Sequence, residues 1–330
     1  MRRAKISAVG AYTPPKTLTN ADLEKMVETN DEWIVTRTGI RTRHIAGDDQ
    51  ATSDLAVEAA KAALANRGMD ASDVETIIVC TVTPDMFFPS TACLVQDRLG
   101  AKGAWGFDLV AACSGLLYGL TTASQLIASG SQNRVLVIGA DTMSRIVNYD
   151  DRATCVLFGD GAGALLLEPA EEGEDAGLID FQHEIDGSGG NFLYMPGGGS
   201  RRPATVESVQ AGEHYVHQEG RQVYRYAVSK MHEICVRLLE RNGLTVDDVD
   251  LLIPHQANAR IISAVAERLS LPLDKAVINI QDYGNTTGGT IPLATQDAIT
   301  SGRLKKGDLV LMAAVGAGLT AGGALWRWGC

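Results

Sequence analysis

SQLIASGSQNRVLVIGAD, residues 124–141, and QDAITSGRLKKGDLVLMAAVG, residues 296–316, carry one pattern twice: a helix closing on a glycine, a polar turn, then a buried apolar strand. The repeat extends in both directions. VETIIVCTVTPD (74–85) and the helix-like STACLVQDRLG (90–100) lead into the first copy, as VDLLIPHQAN (249–258) and ARIISAVAERLS (259–270) lead into the second. WGFDLV (105–110) matches KAVINIQDYGNTTGG (275–289), and ATCVLFGDGAGALLLE (153–168) matches AGLTAGGALWRW (317–328). The order predicts an α/β protein of two duplicated β/α halves, 1–175 and 176–330, each a parallel-rich sheet covered by helices.

Ligands of open α/β sheets collect at the carboxyl ends of the strands. The duplication puts three chemically useful residues there. Cys113, in AACSG, stands between the strand WGFDLV and the helix SGLLYGLTTASQLIASG (114–130). A thiol is a small hydrophobe in a core, but at a helix start the free amides and the dipole favour its thiolate and lower its pKa. His255 ends the strand LLIP, and Asn285 lies in YGNTTGG, the turn equivalent to that of Cys113. A thiol, an imidazole and an amide are therefore expected to converge.

The bulk numbers exclude other classes. The 330 residues are 45% hydrophobic and 21% charged, ordinary for a folded chain. A formal charge of −11 argues against a nucleic-acid partner, since phosphates are bound through concentrated positive charge. Anionic ligands would need a local patch, for which Arg37, Arg41, Arg43, Arg152 and Arg260 are candidates. No apolar run approaches the ~18 residues of a membrane helix and no signal peptide is present, so the expected address is the cytoplasm. Six cysteines without a CxxC pair read as reduced thiols, with no metal site; Cys80, Cys93, Cys155 and Cys235 are expected to pack in the core. FGDGAGA (158–164) lacks the lysine and Ser/Thr of a phosphate-binding P-loop and enters a strand, which reads as tight packing.

In order along the chain, NADLEKMVETNDEWIVTRTGIRTRHIA, AACSG, FGDGAGA, PHQANARII, YGNTTGGTIP and GAGLTAGGAL resemble the β-ketoacyl carrier-protein synthase III family of thiolase-like condensing enzymes. The resemblance implies a homodimer with a five-layer α-β-α-β-α fold in each chain, and no permanently bound cofactor. It implies that acyl-CoA acylates Cys113, and that malonyl-acyl carrier protein then condenses with the acyl group through His255 and Asn285. The backbone N–H groups of Cys113 and Ala317 would form the oxyanion hole. Trp33, Arg37 and Arg152 match nucleotide contacts to CoA, Asn258 a pantetheine contact, Arg225 and Arg260 carrier-protein docking positions, and Phe88 a residue entering the partner subunit's acyl pocket. The alternative is a secondary-metabolism acyltransferase of the same type using a longer acyl group or another acceptor. Four positions are smaller than in many relatives: Gly288 and Gly289 replace alanines, Val315 a phenylalanine and Ala321 a tryptophan. They imply room for acyl groups bulkier than acetyl.

Overall fold

The computed structural model describes residues 2–330. Five strands build the first sheet: β1 (Ala4–Tyr12), β2 (Thr76–Cys80), β3 (Trp105–Leu109), β4 (Val135–Thr142) and β5 (Asp160–Pro169). Their spatial order is β1-β5-β4-β2-β3. Four more, β6 (Gly177–Ile185), β7 (Leu251–Pro254), β8 (Leu309–Gly316) and β9 (Thr320–Arg327), form the second sheet in the order β7-β8-β9-β6. Residue Ala276 adds an isolated parallel bridge to Leu252, so the second sheet repeats the order of the first with one strand reduced to a bridge.

Both sheets are mixed, not parallel-rich. β2 pairs parallel with β3 and β4, and β7 with β8, but β5 and β9 are antiparallel to both of their neighbours. The physical reason is local. β8 and β9 are joined by residues 317–319 alone, too few for the crossover a parallel pair needs, and the segment 143–159 between β4 and β5 holds only the short α-helix Arg152–Cys155 in place of a full crossover helix.

Strand alternation sets the layers. In β2, Ile77 and Val79 pack on helices α2 (Thr52–Arg67) and α3 (Thr91–Leu99), whereas Ile78 and Cys80 face inward. In β8, Leu309 and Leu311 pack on α5 (Gly220–Arg241) and α6 (Ala259–Leu269), whereas Val310 and Met312 face inward. Between the two inner faces lie α4 (Gly115–Ala128) and α7 (Thr290–Thr300). Helix, sheet, helix, sheet, helix: this is the five-layer α-β-α-β-α arrangement.

Helix α4 starts on Ser114, which makes no side-chain cap, a loss of about 1 kcal/mol. Leu116, Leu117, Leu120 and Ile127 are fully buried at helical spacing, and burial of each contributes about 1.5–3 kcal/mol. Packing therefore wins, and it fixes where the helix start, and with it Cys113, must lie. Cys93 departs from expectation: it faces solvent on α3, beside Ser90. No helix among the described residues is long and apolar enough to cross a membrane.

The halves meet at two glycines. A Cβ on Gly139 of β4 would lie 2.0 Å from the carbonyl oxygen of Gly288, so the two halves touch backbone to backbone. Gly139→Ala should therefore destabilise the fold by about 3 kcal/mol, since neither backbone can yield as a side chain would. Urea denaturation of the variant checks this, and a loss below about 0.5 kcal/mol, the scatter of surface substitutions, would show that the contact is not rigid.

Candidate active site

The strand-to-helix turns are built alike in the two halves. Ala112–Ser114 precedes α4 and Thr287–Gly289 precedes α7, each as one turn of 3-10 helix. Each turn holds a non-glycine residue in the left-handed region, Ala112 at φ 47° and Thr287 at φ 52°. Such backbone costs about 1–3 kcal/mol apiece.

Cys113, His255 and Asn285 converge on one cavity wall, although 172 positions separate the thiol from the amide in sequence. His255 leaves β7 with its backbone N–H donating to Ala313 O at 2.8 Å. Its Nδ1 lies 2.6 Å from Thr290 Oγ1. Asn285 Oδ1 accepts the Thr287 N–H at 2.9 Å, which leaves its NH2 group without a protein acceptor among the described residues. All three side chains are buried.

Burial decides the resting charges. It pushes the Cys113 thiol up to about 12, with the Asp141 carboxylate acting in the same direction. The expected lowering at the helix start is therefore outweighed, and the resting group is a neutral thiol. Burial also pushes His255 down to about 3, so its imidazole is neutral as well.

Two chambers meet at Cys113. One, about 160 Å³, is apolar and is bounded by Val82, Met143, Ile146, Leu193 and Val216. The other, about 200 Å³, runs past His255, Asn285 and Val315 to Trp33, Arg37 and Asn258. Ala317 lines the first chamber. Neither its backbone N–H nor that of Cys113 donates to a protein acceptor among the described residues. The turn carrying Ala317 presses on the thiol's backbone: a Cβ on Gly316 would lie 2.8 Å from Cys113 N.

At the outer end the Arg152 guanidinium sits 4.9 Å from the Trp33 ring centroid and donates to Glu28 O. Arg37 is exposed on α1 (Asp31–Thr38), and its carbonyl accepts from Asn258 Nδ2. Asn258 Oδ1 also caps α6 through the Arg260 N–H, so this side chain already holds the wall together. Arg225 and Arg260 are exposed beside the mouth, Arg260 lying 5.7 Å over Tyr224. Arg43 does not join this rim: it is wholly buried, donating to Leu18 O, Asn20 Oδ1 and Val156 O. Phe88 is 85% exposed and lines neither chamber of its own chain.

The small residues divide. Val315 lines the second chamber, but Gly288, Gly289 and Ala321 line neither; the glycines serve close backbone approach, and Ala321 is buried in β9. Two residues escaped the sequence reading. Asp141 is wholly buried and accepts from Thr81, Val82, Thr83 and Gly288; a carboxylate ending the apolar run VLVIGA was its signal. Thr290, the partner of His255, carried no signal beyond its place at a helix start.

Family models described as 3-oxoacyl-[acyl-carrier-protein (ACP)] synthase III and its C-terminal part match residues 107–187 and 239–328. The chain is 65% identical over 329 residues to a β-ketoacyl-[acyl-carrier-protein] synthase III of Solibacter usitatus, covering 99% of both chains. It is 60% identical over 328 residues to one of Koribacter versatilis, covering 99% of this chain and 98% of that one. The crystal structure of 3-oxoacyl-[acyl-carrier-protein] synthase III from Aquifex aeolicus superposes with a TM-score of 0.91 at 44% identity, covering 98% of this chain and 100% of that one. With its fold and paired turns matched end to end, the chain belongs to the β-ketoacyl-[acyl-carrier-protein] synthase III family.

Proposed function

We propose that this chain transfers an acyl group from acyl-CoA to Cys113 and then condenses it with malonyl-acyl carrier protein, starting fatty-acid synthesis. The observation that carries this reading is the meeting of Cys113, His255 and Asn285 where a tunnel holding the site's polar groups joins a chamber lined by apolar side chains. The tunnel suits the pantetheine arm shared by CoA and carrier protein, and the chamber suits the acyl chain.

In the first stage the Cys113 sulfur replaces the CoA sulfur on the acyl carbon, and the thiol proton leaves with CoA as its own thiol. Thioester is exchanged for thioester of similar energy, so the acyl group stays reactive. The free N–H groups of Cys113 and Ala317 receive the oxyanion. In the second stage malonyl loses carbon dioxide, and the electron pair of the broken bond passes into an enolate. The Asn285 NH2 group and a neutral His255 donate to its oxygen. The enolate carbon then attacks the acyl carbon on Cys113, the tetrahedral oxyanion collapses, and the Cys113 sulfur leaves as thiolate and takes a proton from solvent, releasing β-ketoacyl carrier protein. No metal or prosthetic group enters either stage, acyl-CoA serving as substrate.

Trp33, Arg152 and Arg37 receive the nucleotide end of CoA, with adenine stacking on the Trp33 face as the Arg152 guanidinium, 4.9 Å away, moves outward to make room. Arg225 and Arg260 meet the acidic carrier protein. The chain works as a cytoplasmic homodimer, with β3 forming a free sheet edge and Phe88 entering the partner's acyl chamber. With Val315 alone of the four small residues lining a chamber, room for acyl groups bulkier than acetyl rests on the 160 Å³ chamber.

Intact-mass analysis across a panel of acyl-CoA lengths, followed by malonyl carrier protein, tests the whole reading. Cys113→Ser should abolish acyl-enzyme; undiminished labelling at another residue would sink the assignment. Because burial holds the thiol near 12, the thiolate fraction and hence the rate of Cys113 alkylation by iodoacetamide should rise about tenfold per pH unit from 7 to 10. A plateau below pH 8 would place the thiol's pKa far lower.

Alanine at His255 or Asn285 should slow condensation about 100-fold or more while sparing acylation, because their enolate contacts arise only in the second stage. Equal loss of both half-reactions in single-turnover assays would contradict that division. Charge reversal in Arg260→Glu should weaken condensation and leave acylation by CoA unchanged. The defect should shrink near 1 M salt, where screening falls to about 3 Å. Equal loss of acylation would make Arg260 a CoA contact instead.

A further inference from the structure

The ring of His255 can donate from Nε2 only in one of its two neutral tautomers, and something must select it. Nδ1 has one side-chain neighbour, the hydroxyl of Thr290, at 2.6 Å. That separation fits a hydroxyl donor better than an imidazole N–H donor, whose bonds centre on about 2.9–3.0 Å. The hydroxyl has a second acceptor, Thr287 O, but at 3.1 Å. This carbonyl is already satisfied, since it accepts the backbone N–H of Thr290 itself. The Thr290 proton is thus free for the ring, and nothing is orphaned when it turns there.

We infer that Thr290 is a positioning residue: its hydroxyl donates to His255 Nδ1, holding the tautomer in which Nε2–H points to the cavity. The inference rests on the functional reading above and deepens it. Nε2 makes no hydrogen bond to protein among the described residues, and the ring lines the tunnel beside Asn285, so two neutral donors face the same space. A ring held this way cannot accept the Cys113 proton. Acylation then depends on the thiolate set by bulk pH, whereas decarboxylation depends on the Thr290 bond. Thr290 is placed for this by its position as the first residue of α7, only 2% exposed, one turn from Asn285.

The test uses Thr290→Val, which keeps shape and removes the donor, and Thr290→Ser, which keeps the hydroxyl. Histidine labelled with nitrogen-15 reports the tautomer in the full-length protein, the His255 signals being assigned by their absence in His255→Ala. The wild type and Thr290→Ser should show a protonated Nε2 and a bare Nδ1, and Thr290→Val should lose that preference. In single-turnover assays Thr290→Val should slow carbon dioxide release about 10- to 100-fold, with acyl-enzyme formation unchanged and with recovery in Thr290→Ser. A protonated Nδ1 in the wild type overturns the inference, whether or not the variants fold. So does a Thr290→Val protein that retains both the tautomer and the condensation rate. Should the wild type show the Nε2–H tautomer but release no carbon dioxide from malonyl carrier protein, the functional reading fails and the tautomer assignment stands.

Discussion

The Gly288 peptide lies against Gly139 of β4, and Asp141, two residues along the same strand, accepts its N–H at 3.0 Å. The position of the second half's strand-to-helix turn hangs on this contact between halves. Asp141 Oδ1 gathers the hydroxyls and amides that follow β2, while Oδ2 reaches across to the turn that carries Asn285 and leads to Thr290. One buried carboxylate thereby ties the first sheet to the amide and histidine side of the site. Its burial is tolerable because hydrogen bonds replace the water it lost, although the carboxyl still rises to about 6.

The same dryness sets the chemistry. Burial with no adjacent cation keeps the thiol protonated, and burial with no adjacent carboxylate keeps the imidazole neutral. A neutral donor pair suits an enolate that appears only after carbon dioxide has left, since it needs no ion desolvated in advance. The thiol is then activated by its surroundings only weakly. Exchange of one thioester for another is nearly level in energy, so the acyl group keeps its reactivity on Cys113.

Charge is distributed by function. The chain carries a formal −11, yet the tunnel mouth is edged by Arg37, Arg152, Arg225 and Arg260. Net repulsion of anions at long range and local attraction at the mouth are compatible, because screening confines each charge to roughly 8–10 Å at ordinary salt. Arg43, a neighbour of Arg41 in sequence, serves packing instead, its guanidinium spent on backbone carbonyls and one asparagine.

The duplicated strand pattern determined the two halves, the strand equivalences and the turn positions of Cys113, His255 and Asn285, because strand burial and helix ends write themselves into local sequence. Local sequence could not determine what depends on distance across the molecule. The antiparallel β5 and β9, the reduction of residues 276–279 to a bridge, and the withdrawal of Arg43 into the core are all outcomes of packing. Gly288, read as a cavity-widening loss of a methyl, became a point of backbone contact once β4 was seen beside it. The thiol's pKa reversed for the same reason: a helix start is visible in AACSG, but the solvent excluded by residues 200 positions away is not. Thr290 became a partner of His255 only when α7 and β7 were brought together, since a hydroxyl's role is fixed by whichever acceptor the tertiary structure sets before it.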